Sequence, residues 1–528
     1  MIRNAVLLAV GAIALVALMM AVRSVPVSPE RGSTTPQTGR AGEPSGPSES
    51  ATSTDPAASA QPSRFERFYP VAERLLACAE SDDRAYERLV ELCDDIGHRI
   101  SGSEGLERAI EWAVAAMQAD GQENVRTQAV MVPVWVRGAE SLELVHPRRD
   151  TLAMLGLGNS VGTPPEGITA DVIVVADERA LAARREELAG KIVLFDHPMP
   201  AYDPQRGTGY GSTVRYRVMG ARLAEMHGAV AALVRSVTAR SLRSPHTGSS
   251  RPSESGGIPT AAVSVEDAMM LARLQARGIT PRVTLKMEAR MAPDAPSANV
   301  IGELVGRDLP HEIVVIGGHI DSWDIGQGAH DDGAGCVATM HALRLLREME
   351  LRPRRTIRVV LWTNEENGTA GAREYVRACA EELPFHVAAL ESDSGGFAPR
   401  GFSAGHADSK REDAAAAELG ELLRPLARIN AARARNGGSG ADIEPLRGSG
   451  AVLLSHDVDN STYFDFHHTA ADTVDKVDPR DLARNAAAIA YVAYVLAEMP
   501  GRLGAPDMPD SSPPPPAARG GVDGTAGE

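Results

Sequence analysis

Three nearly continuous apolar runs in the second half of the chain constrain the fold more than any other feature. They read HEIVVIGG, RTIRVVLWT and HVAALES and begin at residues 311, 355 and 386. Uninterrupted apolar strands are typical of the centre of a parallel sheet, where helices cover both faces. Because helical segments alternate with these runs, the sequence predicts a doubly wound α/β domain from about residue 312 onward.

Five side chains of metal-ligand type follow these strands or lie in the loops near them: His319, Asp331, Glu366, Asp393 and His468. In open α/β sheets, sites form beyond the carboxyl ends of the strands, so we expect these residues to converge. Any one of them alone is more often a surface charge or a helix cap, but strand packing does not explain all five. Two imidazoles and three carboxylates suit zinc. The sequence therefore predicts a hydrolytic metal site.

Two neighbouring carboxylates are candidates for catalysis. Adjacent side chains leave an extended backbone in opposite directions, so Glu366 can bind metal while Glu365 faces the substrate water as general base. Asp321 follows His319 by two residues and is placed to accept the second imidazole N–H, which would fix the tautomer. The plainer interpretation of Asp321 is an ordinary loop carboxylate.

Other histidines and cysteines offer alternatives. His330 and His467 stand next to predicted ligands and compete with them. The four cysteines show no CxxC spacing, which argues against a cysteine zinc site or redox motif. A bridge between Cys78 and Cys93, on neighbouring predicted helices, stays open.

Charge and the N-terminal segment bear on location. A net charge of −16 argues against electrostatic binding to nucleic acid or anionic lipid. Residues 5–22 are uncharged and almost wholly apolar, longer than the ~7–15 residues of a signal-peptide core and within the ~17–25 that span a bilayer. We therefore predict a membrane anchor or signal over 1–23 and an extracytoplasmic enzyme, membrane-anchored, or secreted or periplasmic if the segment is cleaved.

Composition divides the rest of the chain. Residues 24–63 and 501–528, rich in Pro, Gly and small polar residues, are predicted to be a flexible linker and a disordered tail. Short apolar strands alternating with polar segments predict an inserted α/β or β-rich domain over 148–293. The catalytic domain is then formed by 64–147 and 294–500.

Local periodicity predicts the elements that flank the insert. Apolar residues at three- and four-residue spacing predict helices over 64–81, 85–99 and 106–121, and a strand is predicted over 125–135. A long helix over 479–499 is predicted to close the catalytic domain.

At its motifs the chain resembles the co-catalytic di-zinc exopeptidases, the clan of bacterial leucyl aminopeptidases and glutamate carboxypeptidases. The resemblance runs from about Arg64 to Pro500. It is carried by RISGSEG (99–105), LGLGNSVGTPPEGITA (155–170), RSVTARSLRSPHTG (235–248), GHIDSWDIGQGAHDDG (318–333) and FHHTAADT (466–473). Matches of this length are highly specific.

The resemblance implies a ligand set for two zinc ions. His319, Asp331 and Asp393 would hold one ion, and Asp331 would bridge to the other, held by Glu366 and His468. His468 is preferred to its neighbour because family members place this ligand four residues before an aspartate. The resemblance also implies a cis Asp331–Asp332 peptide and a protease-associated type for the insert, which would wall the cleft.

The implied function is hydrolysis of dipeptides or short peptides with a free terminus, in a carboxypeptidase or dipeptidase manner. Glu365 would act as base and Tyr463 would help stabilise the oxyanion. The alternatives are a broad aminopeptidase, a non-catalytic receptor-like module and a single-zinc glutaminyl cyclase, the last two disfavoured by the complete ligand set. The expected partner is a small peptide, and the choice between monomer and homodimer stays open.

Overall fold

The computed structural model describes residues 63–251, 253, 256–506, 508 and 510 of the 528-residue chain. The predicted anchor or signal and all of the predicted linker except Ser63 lie outside these residues, as does the segment 511–528. In the part of the chain that is described, no helix combines the length and apolarity needed to cross a bilayer.

Strands and helices alternate along most of the chain. In chain order the strands are β1 (Glu123–Val136), β2 (Glu140–His146), β3 (Asp150–Leu152), β4 (Met154–Gly156), β5 (Ile168–Val175), β6 (Ile192–Phe195), β7 (Ala231–Arg235), β8 (Thr260–Val263), β9 (Arg282–Met287), β10 (Arg290–Leu304), β11 (Leu309–His319), β12 (Arg355–Trp362), β13 (His386–Glu391), β14 (Pro399–Gly405), β15 (Arg433–Asn436) and β16 (Val452–Val458). The helices are α1 (Tyr69–Ala79), α2 (Arg84–Val90), α3 (Glu104–Ala119), α4 (Glu178–Ala183), α5 (Tyr210–Glu225), α6 (Val265–Ala276), α7 (Ala334–Glu348), α8 (Ala370–Ala378), α9 (Ser409–Leu422), α10 (Tyr463–Phe466) and α11 (Pro479–Glu498).

The main sheet has the strand order β1-β10-β12-β11-β13-β16-β14-β15. Its centre, β12-β11-β13-β16, is parallel. Along β11, Val314 and Ile316 pack into the core shared with α7 and α11, whereas Ile313 and Val315 face the core that contains residues of α8. Both faces of the central strands are therefore covered, which confirms the predicted doubly wound α/β fold.

A second sheet, β3-β2-β9-β5-β6-β7-β8-β4, lies between β1 and β10 in the chain. Those two strands pair antiparallel, with Val136 opposite Arg290, so the chain leaves and re-enters the main sheet at one place. Strand β2 lies within the segment 64–147 that is predicted to belong to the catalytic domain, but it pairs with β9, so the second sheet spans 140–287. Local pattern misassigns β2 because its partner is more than a hundred residues away. The protease-associated type stays a prediction.

The flanking elements agree with the predicted periodicity, since α1, α2, α3 and α11 lie within or close to the predicted helices and β1 covers the predicted strand. All four cysteines, including Cys78 and Cys93, are free.

The start of the predicted disordered tail is packed, so that prediction is wrong for the residues described there. Leu503 is 2% exposed. Asp510 pairs with Arg354 at 2.8 Å and also with Arg355, whose fully buried guanidinium takes Glu312 as a second partner. Burial of a guanidinium is unfavourable unless carboxylates pair with it, so the ion pairs of Asp510 stabilise the packing of this segment against the domain.

Candidate metal centre and active site

The carboxyl ends of the central strands bring the predicted site residues together. His319 ends β11, Glu365 and Glu366 follow the end of β12, and Asp393 comes two residues after β13. Because these three strands are parallel neighbours, their ends meet at one edge of the sheet. His468 reaches the same edge from the loop that follows α10.

Asp331 lies between two groups of ligand atoms. One of its oxygens, Oδ1, is 3.3 Å from His319 Nε2, which is also 3.5 Å from Asp393 Oδ1. The other oxygen, Oδ2, is 3.1 Å from His468 Nε2, which is also 3.0 Å from Glu366 Oε2. The five predicted ligands thus form two clusters that share one carboxylate. The Asp331–Asp332 peptide is cis, as the resemblance predicts.

The donor set fits a divalent cation. His319 Nδ1 lies 3.0 Å from the carbonyl oxygen of Asp321, which can only accept, so the neutral ring directs the lone pair of Nε2 at two carboxylates. Buried oxygens of Asp331, Glu366 and Asp393 have no hydrogen-bond partner among the residues described. Lone pairs that converge without a proton donor are stabilised by a metal ion, and nitrogen and oxygen ligands of this kind suit zinc.

Electrostatics at His468 point the same way. Burial alone would lower the pKa of this imidazole, but the facing carboxylates of Glu366 and Asp331 raise it to about 9. The pocket therefore favours a positive charge at the position of Nε2.

The expected role of Asp321 is corrected by the structure. Its carboxylate does not hold the His319 ring, because the nearer acceptor is the Asp321 carbonyl oxygen, at 3.0 Å against 3.8 Å for Oδ1. Instead the backbone N–H of Glu365 donates to Oδ1 at 2.9 Å and that of Glu366 donates to Oδ2 at 3.3 Å. The fully buried carboxylate thus orients the backbone of the Glu365–Glu366 pair.

Glu365 lies in the cavity beside the ligands. Burial raises the pKa of its carboxyl well above the usual range, although His319 acts in the opposite direction. A raised pKa brings a carboxylate closer to the range in which it can both accept and return a proton near neutral pH.

The competing histidines lie farther from the carboxylates or face away. His467 Nε2 is 3.8 Å from Asp331 Oδ2, and its ring stacks on His468 with centroids 3.5 Å apart. His330 stacks on Phe397, and its Nδ1 accepts from the backbone N–H of Gly396.

A cavity of about 340 Å³ opens onto four of the five predicted ligands. It is lined by Thr208, Tyr210, Arg217, Asp331, Glu365, Glu366, Asp393, Ser394, Asn460, Tyr463, Phe464, His467 and His468. The first three belong to the second-sheet region, which local pattern gave no reason to connect with the site. Two further residues of that region fasten it to the ligand loops: the Thr247 N–H donates to the His468 carbonyl at 3.0 Å, and Ser249 Oγ donates to the Glu366 carbonyl at 2.6 Å.

Comparisons with known proteins agree with this geometry. The sequence model of Peptidase family M28 matches residues 299–493. Carboxypeptidase Q of Mus musculus is 43% identical over 80% of this chain and 88% of its own length, and that of Homo sapiens is 41% identical over the same shares. The crystal structure of a peptidase M28 precursor from Shewanella amazonensis superposes with a TM-score of 0.77 at 33% identity, covering 83% of this chain and 98% of that one.

Proposed function

The chain belongs to peptidase family M28, together with the carboxypeptidases Q, and we propose that it is a zinc-dependent exopeptidase acting on dipeptides or short peptides with a free terminus. The observation that carries the proposal is the convergence of two imidazoles and three carboxylates at one edge of the main sheet, beside the cavity that Glu365 lines. The sequence similarity to the carboxypeptidases Q supports it, because it extends over four fifths of the chain.

We propose two zinc ions. One would be held by His319, Asp331 and Asp393, the other by Asp331, Glu366 and His468, with Asp331 shared. When bound, zinc polarises the peptide carbonyl and lowers the pKa of a water molecule toward neutrality.

The chain's own residues then provide positioning and proton transfer. Glu365 accepts the proton of the attacking water and returns it to the leaving amine. The Asp321 carboxylate accepts from the backbone N–H of Glu365 and so fixes the position from which the Glu365 side chain reaches the cavity. Tyr463 lines the cavity, and its hydroxyl would donate to the carbonyl oxygen as negative charge develops.

The surroundings of the site suit a small substrate. A cavity of about 340 Å³ is at the lower end of the range for small-molecule sites, about 300–1,000 Å³, and would exclude a folded chain. The second-sheet region forms one wall, which would limit how far a peptide extends. The apolar run at residues 5–22 supports an extracytoplasmic enzyme.

Hydrolysis of short peptides by the purified, zinc-loaded full chain tests the proposal. The wild type should cleave free dipeptides, and Glu365→Gln should keep the wild-type zinc content while losing about 10²–10⁴-fold in kcat. A panel of free, N-blocked and C-blocked dipeptides separates carboxypeptidase from aminopeptidase action. Full activity of Glu365→Gln would overturn the assignment of the base, and no hydrolysis by the zinc-loaded wild type would overturn the function.

A further inference from the structure

A cation from the second-sheet region is buried in the wall of the site. Arg217, on α5, is 6% exposed and lines the same cavity as four of the five predicted ligands. Its guanidinium lies close to Gly248, where an added Cβ would be 2.5 Å from Cζ. The head group therefore has a defined place in the cavity wall.

The contacts of this guanidinium leave its charge unbalanced. One nitrogen donates to the Tyr210 hydroxyl at 2.8 Å, another lies 3.3 Å from His468 Nδ1, and the Nε–H has no partner within the described part of the chain. Among the residues that the structure describes, it forms no ion pair with a carboxylate. A buried charge without a counter-charge is strongly unfavourable, so the arrangement calls for an anion.

The contact with His468 offers Arg217 no acceptor once that imidazole serves as a ligand. His468 Nε2 faces Asp331 and Glu366, so Nδ1 must carry the ring proton. Nδ1 also lies 3.3 Å from the Thr247 carbonyl, which can accept that proton. Of the five N–H donors of the guanidinium, the one that donates to the Tyr210 hydroxyl is then the only one with an acceptor among the described residues.

The carboxylates of the cavity are already assigned. They are Asp331, Glu365, Glu366 and Asp393. Two bound divalent ions would balance the four negative charges of these carboxylates. The positive charge of Arg217 then has no counter-charge among them. A free substrate ammonium would find no unassigned carboxylate on the cavity wall as described, whereas a substrate carboxylate would find a guanidinium.

We propose that Arg217 binds the terminal α-carboxylate of the substrate and thereby selects peptides with a free C-terminus. A guanidinium presents paired N–H groups that match the two oxygens of a carboxylate. The proposal rests on the proposed exopeptidase function and adds the residue that determines which end is recognised. It also makes the second-sheet region part of the substrate site.

Matched variants of α5 test the assignment. We would measure kcat and KM of the zinc-loaded full chain on alanyl-leucine and on its C-terminal amide, for wild type, Arg217→Gln, Arg217→Lys and the control Arg222→Gln. Arg222 carries the same charge on the same helix and is exposed. Zinc content and thermal unfolding of each variant show whether the site and the fold survive.

The wild type should prefer the free acid, and Arg217→Gln should lower kcat/KM on the acid by about 10²–10³-fold, chiefly through KM, while the amide changes by less than about threefold. Arg217→Lys should recover part of the loss, and Arg222→Gln should match the wild type. Equal losses on acid and amide, or an unchanged preference for the acid, would overturn the assignment.

A binding measurement separates this proposal from the proposed function. Leucine, the product that carries the carboxylate, should bind the wild type at least about 10-fold more tightly than Arg217→Gln in calorimetry, and leucinamide should not distinguish them. If the zinc-loaded wild type hydrolyses neither substrate but leucine binding follows this pattern, the peptidase function fails and the carboxylate site stands. Equal leucine binding by both proteins would overturn the carboxylate site.

Discussion

Replacing Asp321 by asparagine should slow catalysis without emptying the metal site. The carboxylate accepts two backbone N–H groups, from Glu365 at 2.9 Å and from Glu366 at 3.3 Å. The single oxygen of asparagine can keep only one of these bonds, and its amide NH₂ group then faces the other N–H. The backbone that carries the predicted base therefore loses one of its two anchors.

The magnitude follows from these two bonds. A hydrogen bond to a charged group contributes about 1.5–3 kcal/mol, and a buried N–H left unsatisfied costs about 1–3 kcal/mol. The variant is thus perturbed by about 2.5–6 kcal/mol at this loop. If about 3 kcal/mol of this is lost in the transition state, kcat falls by about 10²-fold.

Steady-state kinetics on a free dipeptide and zinc analysis of the same samples provide the assay. We expect kcat to fall while the ion held by His319 is retained, because the partner of that ring is the Asp321 backbone carbonyl, which the substitution keeps. Asp308→Asn, the same change at an exposed residue just before β11, should match the wild type. A kcat within about threefold of wild type would refute the reasoning. A lower zinc content in Asp321→Asn than in wild type would instead favour the role predicted from sequence, in which the Asp321 carboxylate orients the His319 ring.

Three further outcomes are expected. His468→Ala should reduce bound zinc from two ions toward one per chain, and His467→Ala should leave it unchanged. The reason is that Asp331 Oδ2 lies 3.1 Å from Nε2 of His468 and 3.8 Å from Nε2 of His467. Metal analysis tests this, and loss of zinc from His467→Ala alone would show that His467 is the ligand. Chelation should lower the free energy of unfolding by about 2.7 kcal/mol for each bound ion, and so by about 5.4 kcal/mol for two, relative to protein in zinc at a hundred times the Kd of each site, because the ions stabilise only the folded state. Calorimetry showing equal stability with and without chelator would contradict zinc binding. Leu503→Ala should cost about 2–5 kcal/mol in urea unfolding because the side chain is 2% exposed, whereas Met508→Ala, at a side chain that is 50% exposed, should change stability by less than about 0.5 kcal/mol; equal effects would contradict the packing of this segment.

Prediction from sequence succeeded where the relevant signal lies within one strand and the loop that follows it. The apolar run that ends at His319 indicates a central strand, and parallel strands deliver their next residues to a common edge. That reasoning predicts that His319, Asp331, Glu366 and Asp393 meet at this edge, as they do in the structure, whereas His468 reaches it from the loop after α10. It failed for β2 and for the segment around Leu503, because the partners of each are distant in the chain.

By itself, the sequence determined the α/β class, the ligand types and their order along the chain, because periodicity and side-chain chemistry are local properties. Tertiary structure alone decided that the Asp321 carboxylate binds the backbone of Glu365 and Glu366 rather than the His319 ring, and that His468 lies nearer Asp331 than His467 does. It also brought Arg217 to an imidazole 251 residues away. Such contacts depend on how the second-sheet region packs over the edge of the main sheet, and no spacing in the chain encodes that packing.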